Sequence, residues 1–406
     1  LAPNEEFMQV SFVNGIHTGK GGKHVEHVFN QIIRKLCSFI KKKKKVDVKP
    51  STLKEQLMIF VNCTIENPTF DSQTKDFLNT PSNKFGSACE VSEKFIEKVA
   101  MKSGLGVMEV ALSLTQVKEN ASAKKTDGSK TRSVRGIPKL VDANWAGTAK
   151  SGQCTLILCE GDSAKAGVVS GLAKADRNIY GVYPLKGKLL NVRDEALKKI
   201  ADNKEIHEIK QIMGLETGKN YTPVDIQTKL RYSKIVFMTD QDLDGSHIKG
   251  LGINLFENQW LTLAAHPEFL GFMNTPIIKA RKGTAEKLFY NDGQYAAWKE
   301  EGDTRGWSIK YYKGLGTSTA TEFKEYFKDK RIVYFAWDDD SADCIDKVFN
   351  KKRADDRKLW LGEYSRESYV DTDKVSIGYQ EFVDQEMIHF SKYDNDRSIP
   401  NMVDGL

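Results

Sequence analysis

Several familiar signals are missing from this 406-residue sequence. No apolar run approaches the roughly 20 residues that a membrane-spanning helix needs, so no membrane is expected among its partners. The opening Leu1-Ala2-Pro3-Asn4-Glu5-Glu6 is neither a signal peptide nor a transit peptide, and reads as a cut inside a longer protein. Cys37, Cys63, Cys89, Cys154, Cys159 and Cys344 form no C-x-x-C pair. Their spacing suits neither zinc nor a disulfide framework, which leaves free thiols in a reducing compartment. There is no internal repeat, and no strong charge of either sign. The net charge of +6 permits a polyanionic partner without demanding one.

What is present is ordinary for a globular protein: 40% hydrophobic and 29% charged residues, in a chain long enough for two or three domains. Gln9–Val13 reads as a strand. Val25, Val28, Phe29, Ile32, Ile33, Leu36 and Ile40 then mark one face of a helix. The run Lys41–Lys45 is expected to be a solvated loop after that helix, with a nuclear-import patch as the alternative. A second strand is expected at Leu57–Val61. Residues 118–136, rich in Lys, Ser, Thr, Asn and Gly, read as a linker or long surface loop. From Cys154 the pattern turns to α/β, with strands at Thr155–Leu158, Ile179–Tyr183 and Lys234–Met238. Helices are expected from about Ala164, through most of Glu195–Met213, and over His247–Leu263. That order predicts a mostly parallel sheet with helices on both faces and ligands at the carboxyl ends of its strands.

Two acidic clusters fall at such ends. In Asp240-Gln241-Asp242-Leu243-Asp244-Gly245, carboxylates at alternate positions of an extended backbone would project from one face. Crowded carboxylates repel unless a cation sits between them, and hard oxygen ligands beside phosphates suit Mg²⁺. The same pattern opens an EF-hand loop, but Leu251 stands where the closing Glu belongs, and an apolar strand replaces the entering helix. A solvated acidic turn is the bland alternative. The second cluster is Glu160-Gly161-Asp162-Ser163. An acid, a glycine and a helix start after a strand make a place that attracts phosphate, or merely a capping turn. A hydrolase elbow is excluded by Lys165, which replaces the final glycine of that motif.

Together, strand–Glu160-Gly161-Asp162-Ser163 and strand–Asp240-x-Asp242-x-Asp244-Gly245 resemble the Toprim domain of topoisomerases, primases and related nucleases. Tyr183-Pro184-Leu185-Lys186-Gly187-Lys188-Leu189-Leu190-Asn191-Val192 and Asp244-Gly245-Ser246-His247-Ile248 narrow the resemblance to type II DNA topoisomerases. Lys310–Thr317 and Arg397–Leu406 resemble stretches of the eukaryotic type. Ser11–Gly15, Lys20–Val25 and Phe70–Lys75 resemble the family's transducer domain.

The resemblance implies an α/β transducer-type domain followed by a Toprim domain and the start of a winged-helix region. Its expected bounds are a transducer part over 1–117, a linker over 118–150, a Toprim core over 151–280, an extension over 281–378 and a winged-helix approach over 379–406. It implies Mg²⁺ in a two-metal site, with Glu160 and Asp240 on one ion and Asp240 and Asp242 near a second, roughly 3.5–4 Å away. Asp244 would stand behind them, and Glu160 would serve as general acid or base. Lys186, Lys188, Asn191, Ser163 and His247 would face DNA. Gln73 and Lys75 would sense the ATP phosphates. Double-stranded DNA, a homodimer and a nuclear site (viral or cytoplasmic if a large DNA virus encodes it) follow from the same source. So does an ATP pocket and a nucleophilic tyrosine outside this sequence, which would leave the isolated chain inactive. Lys186 departs from the family's usual Arg, turning a bidentate phosphate contact into a point charge. Cys159 replaces the usual Thr, a change expected to concern packing only. Tyr232, leading into a strand, is expected in the core. The rival readings are a coupling and DNA-binding module without chemistry, and a Toprim nuclease or primase.

Overall fold

The structure is a computed structural model that describes residues 6–101, 106–302 and 304–403, with residues 397–403 described by backbone alone. The expectation of an internal cut at Leu1–Glu6 falls mostly outside the described residues, as do the side chains of the Arg397–Leu406 run. The chain divides into two compact units, residues 1–121 and 122–406.

In the first unit, β1 (Met8–Val13) and α1 (Lys23–Lys44) are followed by β2 (Met58–Cys63), which pairs in parallel with β1 from Met8↔Met58 to Val13↔Cys63. The apolar stripe of α1 is buried as its spacing requires, at Val25, Phe29, Ile32, Ile33, Leu36 and Ile40. Full burial of such a side chain contributes about 1.5–3 kcal/mol. The lysine run corrects the sequence reading. Lys41–Lys44 form the last turn of α1, and Lys45 ends it in the left-handed region at φ 59°. Four ammonium groups at a helix C-terminus complement its dipole, so the charge that suggested a loop supports the helix instead. Two further helices, α2 (Glu93–Met101) and α3 (Val107–Lys124), follow.

The stretch expected to be a linker or long surface loop is corrected at its start, while residues 125–136 form no helix or strand. Residues 118–124 belong to α3, because Lys118, Glu119, Ala121, Ala123 and Lys124 are good helix formers despite their polarity. The remainder is fastened to the second unit. Lys210, only 4% exposed, donates from its Nζ to Asp127 Oδ1 at 2.8 Å and Thr126 Oγ1 at 2.7 Å. Fully buried Arg231 donates to the Thr131 carbonyl at 2.7 Å and pairs with Asp142. Tyr232 lies in the core as expected, donating its hydroxyl to Asp142 and accepting from the Ala143 N–H at 3.0 Å.

The second unit is built on β3 (Thr155–Glu160), α4 (Gly161–Gly171), β4 (Tyr180–Leu185), α5 (Lys204–Met213), β5 (Lys234–Met238), α6 (Leu243–Gln259) and β6 (Leu270–Met273). A smaller antiparallel sheet of β7 (Ile278–Lys282), β8 (Ala285–Phe289) and β9 (Ser308–Tyr311) comes next, ordered β8-β7-β9. Helix α7 (Ala320–Asp329), β10 (Ile332–Ala336), β11 (Ser376–Gly378) and α8 (Ile388–Val403) complete it. The main sheet has the order β11-β10-β6-β5-β3-β4. It is parallel except for the antiparallel β10–β6 pair. Alternate residues of its central strands enter two cores. Leu156, Leu158, Ile235 and Phe237 pack on one side with Phe256 of α6. Ile157, Cys159, Val236 and Met238 pack on the other with Val168 of α4 and Phe323 of α7.

Candidate functional site

β3 and β5 are neighbours in register, Leu158↔Phe237 and Cys159↔Met238. Their carboxyl ends therefore bring Glu160 and Asp240 together across 80 residues of sequence, and the Asp240 N–H donates to Glu160 Oε2 at 3.4 Å. Gly161 makes the turn out of β3 at φ +82°, where a side chain would strain the backbone, and the first turn of α4 follows at once. Ser163 is exposed on that turn. Asp162 beside it pairs with Lys139 at 3.2 Å.

The acidic run is not the extended row expected from its spacing. Asp242 is the N-cap of α6, its Oδ1 accepting from the Gly245 N–H at 2.8 Å, and Asp244 already lies in the first helical turn. The helix thus starts at Leu243 rather than near His247, because a capping aspartate followed by Gly245 and Ser246 nucleates it earlier. Asp244 forms an ion pair with Lys188 at 2.8 Å. Among the described residues no three His, Cys, Asp or Glu side chains converge as a ready metal cage, so Glu160, Asp240, Asp242 and Asp244 are not a closed ligand set.

The electrostatics single out the half-buried pair. Burial, then the charge of Asp240, push the Glu160 carboxyl up to about 7, and Asp242 and Asp244 add to the effect. Burial likewise raises Asp240, against a hydrogen bond from the Leu315 N–H to its Oδ1 at 2.7 Å. Two carboxylates raised in this way lack positive charge between them. Such a pair fits Mg²⁺, which binds through one or two carboxylates and keeps several waters. It does not fit a metal that demands a closed protein cage.

The basic and polar candidates are less uniform. Lys186 is exposed, with its backbone N–H on Glu205 Oε1 at 2.5 Å. Lys188, bound to Asp244, also sits over the Phe390 ring at 5.0 Å. His247 stacks on that ring at 3.9 Å. Burial, then Lys188, lower its imidazole to about 4, so it is neutral at pH 7. The Asn191 amide is engaged within the unit, donating to the Phe349 carbonyl at 2.9 Å and accepting from Asn254 at 3.0 Å. Gln73 and Lys75 are exposed on a loop of the first unit, where Lys75 has φ 59° and its ammonium lies 5.9 Å from the Phe70 ring. All six cysteines are free thiols, and burial pushes that of Cys159 up to about 12.

Sequence reasoning assigned no role to Gly314 and Leu315, although the Lys310–Thr317 run containing them stood out. A Cβ on Gly314 would lie 2.2 Å from Asp240 Oδ2, so the glycine lets this loop close over the carboxylate. Phe390, the platform under His247 and Lys188, had no signal beyond being aromatic.

Residues 2–128 match the DNA gyrase B family, residues 155–269 the Toprim domain, and residues 273–395 the C-terminal associated domain of TOPRIM. The chain is 48% identical over 410 residues to DNA topoisomerase 2 of Plasmodium falciparum, covering 98% of the chain and 29% of that protein. It is 47% identical over 421 residues to DNA topoisomerase 2-alpha of Homo sapiens, covering 98% of the chain and 27% of that protein. The chain therefore spans less than a third of the length of these relatives. A solved structure of the DNA-binding, cleavage and re-ligation domain of Plasmodium falciparum topoisomerase II is similar at a TM-score of 0.63 and 50% identity. That match covers 66% of the chain and 37% of the solved one.

Proposed function

Because the chain belongs to the type II DNA topoisomerase family, we propose that it supplies the acidic, Mg²⁺-binding half of a DNA cleavage and religation centre. The observation that carries this reading is the pairing of Glu160 and Asp240 at adjacent strand ends, both half-buried and both raised in proton affinity. Glu160 and Asp240 would hold the cation, with Asp242 near a second. When bound, Mg²⁺ supplies Lewis-acid stabilisation of charge on phosphodiester oxygens. The chain's own residues do the rest. At about 7, the Glu160 carboxyl is poised to take or give a proton at neutral pH. The first turn of α4, with Ser163 on it, offers backbone N–H groups to a phosphate. Lys186 and Lys188 contribute positive charge towards the DNA backbone, and His247 contributes a neutral ring.

The same reading makes double-stranded DNA the substrate and the exposed Gln73–Lys75 loop a sensor of ATP phosphates that couples hydrolysis to strand passage. It assigns residues 1–117 to a transducer, 151–280 to a Toprim core, 281–378 to its extension and 379–406 to the approach to a winged helix. It also brings assembly as a homodimer and a nuclear site of action. Among the described residues no helix is long and apolar enough to cross a membrane.

The test is a graft. Placed in the matching segment of a DNA topoisomerase 2, the wild-type sequence should support Mg²⁺-dependent cleavage of supercoiled DNA, and Glu160→Gln or Asp240→Asn should lower it by a hundredfold or more, an order of magnitude typical of removing a group that stabilises transition-state charge. Cleavage indifferent to both substitutions would overturn the proposal and leave a coupling and DNA-binding module.

A further inference from the structure

Just before α8 the chain makes a single π-helical turn, Val383–Met387. Such turns insert one extra residue and re-aim the side chains around it. Here Val383 and Met387 enter the core while Glu386 reaches the first turns of α6. Its Oε1 accepts from the Ser246 hydroxyl at 2.8 Å and forms an ion pair with Lys249. Lys249 is 1% exposed, with its ammonium 4.7 Å from the Phe272 ring. An ion pair this deep contributes little net stability, since desolvation offsets the attraction, whereas it does fix geometry.

The groups it fixes are those that hold Asp242. The Ser246 N–H donates to the Asp242 carbonyl at 3.0 Å, and the Gly245 N–H donates to Asp242 Oδ1. The Ser246 hydroxyl lies 3.0 Å from the same carbonyl, but it has one proton, and the charged carboxylate of Glu386 is the stronger acceptor. Asp242, Ser246 and Glu386 also line one cavity of ≈ 540 Å³.

We propose that Glu386 is a positioning residue for the acidic centre: through Ser246 and Lys249 it clamps the first turn of α6 and so sets where the Asp242 carboxylate stands. The inference rests on the reading of Glu160, Asp240 and Asp242 as a Mg²⁺ site. It adds that the segment just ahead of α8 controls that site although it contributes no ligand. Residues that orient ligands in this way typically change metal affinity by 10–100-fold when removed.

The experiment is calorimetric titration of the 406-residue chain with Mg²⁺ alone, with amide hydrogen exchange at Gly245 and melting curves in chelator. Glu386→Gln and Ser246→Ala should each weaken Mg²⁺ binding by about tenfold and speed exchange at Gly245. Glu386→Gln leaves the Lys249 charge buried without its partner, and loss of stability alone could mimic the effect. The double variant Glu386→Gln/Lys249→Met removes that charge, so it should recover the melting temperature while Mg²⁺ affinity stays low. Recovery of affinity together with melting temperature would overturn the inference, as would single variants that bind like the wild type. Failure of the wild-type chain to bind Mg²⁺ would remove the underlying reading, and this inference with it.

Discussion

A carboxyl whose proton affinity is raised by its surroundings weakens the fold once it ionises, and Glu160 is such a group. Its folded value of about 7 stands above the ordinary 4.5, so its favourable contribution is complete below about 4.5 and is lost as the pH rises through 7. In chelator the melting temperature should therefore fall over that interval. Glu160→Gln should flatten the fall, and Mg²⁺ added at pH 8 should restore stability to the wild type only. Melting curves at stepped pH check this, and equal slopes for the two proteins would contradict it. Asp242 admits a cleaner separation of charge from shape, because it caps α6. Asparagine caps as well as aspartate. Asp242→Asn should thus keep stability in chelator within about 0.5 kcal/mol while raising the Mg²⁺ concentration needed for half-saturation. Asp242→Ala should in addition lose about 1 kcal/mol with the cap. An unchanged Mg²⁺ requirement in Asp242→Asn would remove Asp242 from the ligand set. None of this capping was legible in the acidic spacing, which looks the same whether the backbone continues extended or turns into a helix.

Elements were easier to read than their ends. The strands at 155–160 and 234–238 stand out because each contains an apolar run, Leu156–Cys159 and Ile235–Met238, flanked by turn residues, and α1 because its apolar residues repeat on one face. The errors were at termini, where local polarity suggested coil but helix propensity and dipole complementarity decided otherwise, as at Lys41–Lys44 and Lys118–Lys124. The Lys310–Thr317 run stood out in the sequence, but the closure of its 312–317 part over Asp240 did not, since it depends on a contact across 75 residues of chain. It yields a prediction of its own. Gly314→Ala should push the loop or the Asp240 carboxylate aside, lower stability by about 1–3 kcal/mol as overpacking does, and weaken Mg²⁺ binding. The equivalent change at Gly316, where an added Cβ meets nothing within 4 Å, should do neither. In the first unit, the exposed 71–75 loop should tolerate Lys75→Ala without loss of stability. In a topoisomerase carrying this segment, that change should impair ATP hydrolysis and spare ATP-independent cleavage. Equal loss of both would assign Lys75 to folding.

At the scale of the whole molecule, the order of the segments and their α/β character were readable from motif and pattern. The first unit ends at residue 121, inside the stretch where composition shifts; how that stretch is held was not readable. Composition put a linker or long surface loop at 118–136, but composition does not register that Asp127 and Asp142 answer two buried cations, Lys210 and Arg231, far along the chain. The consequence concerns where the protein can be cut. A recombinant piece beginning at Ser151, which the motifs would recommend, would remove the groups of residues 123–142 that cover and pair both cations, and should melt at a lower temperature than the longer piece. A piece beginning at Ser122 keeps both partners and should express as a soluble, cooperatively melting product. In the intact chain, a protease offered residues 126–131 should find them slow to cleave, unlike the open linker their composition suggests.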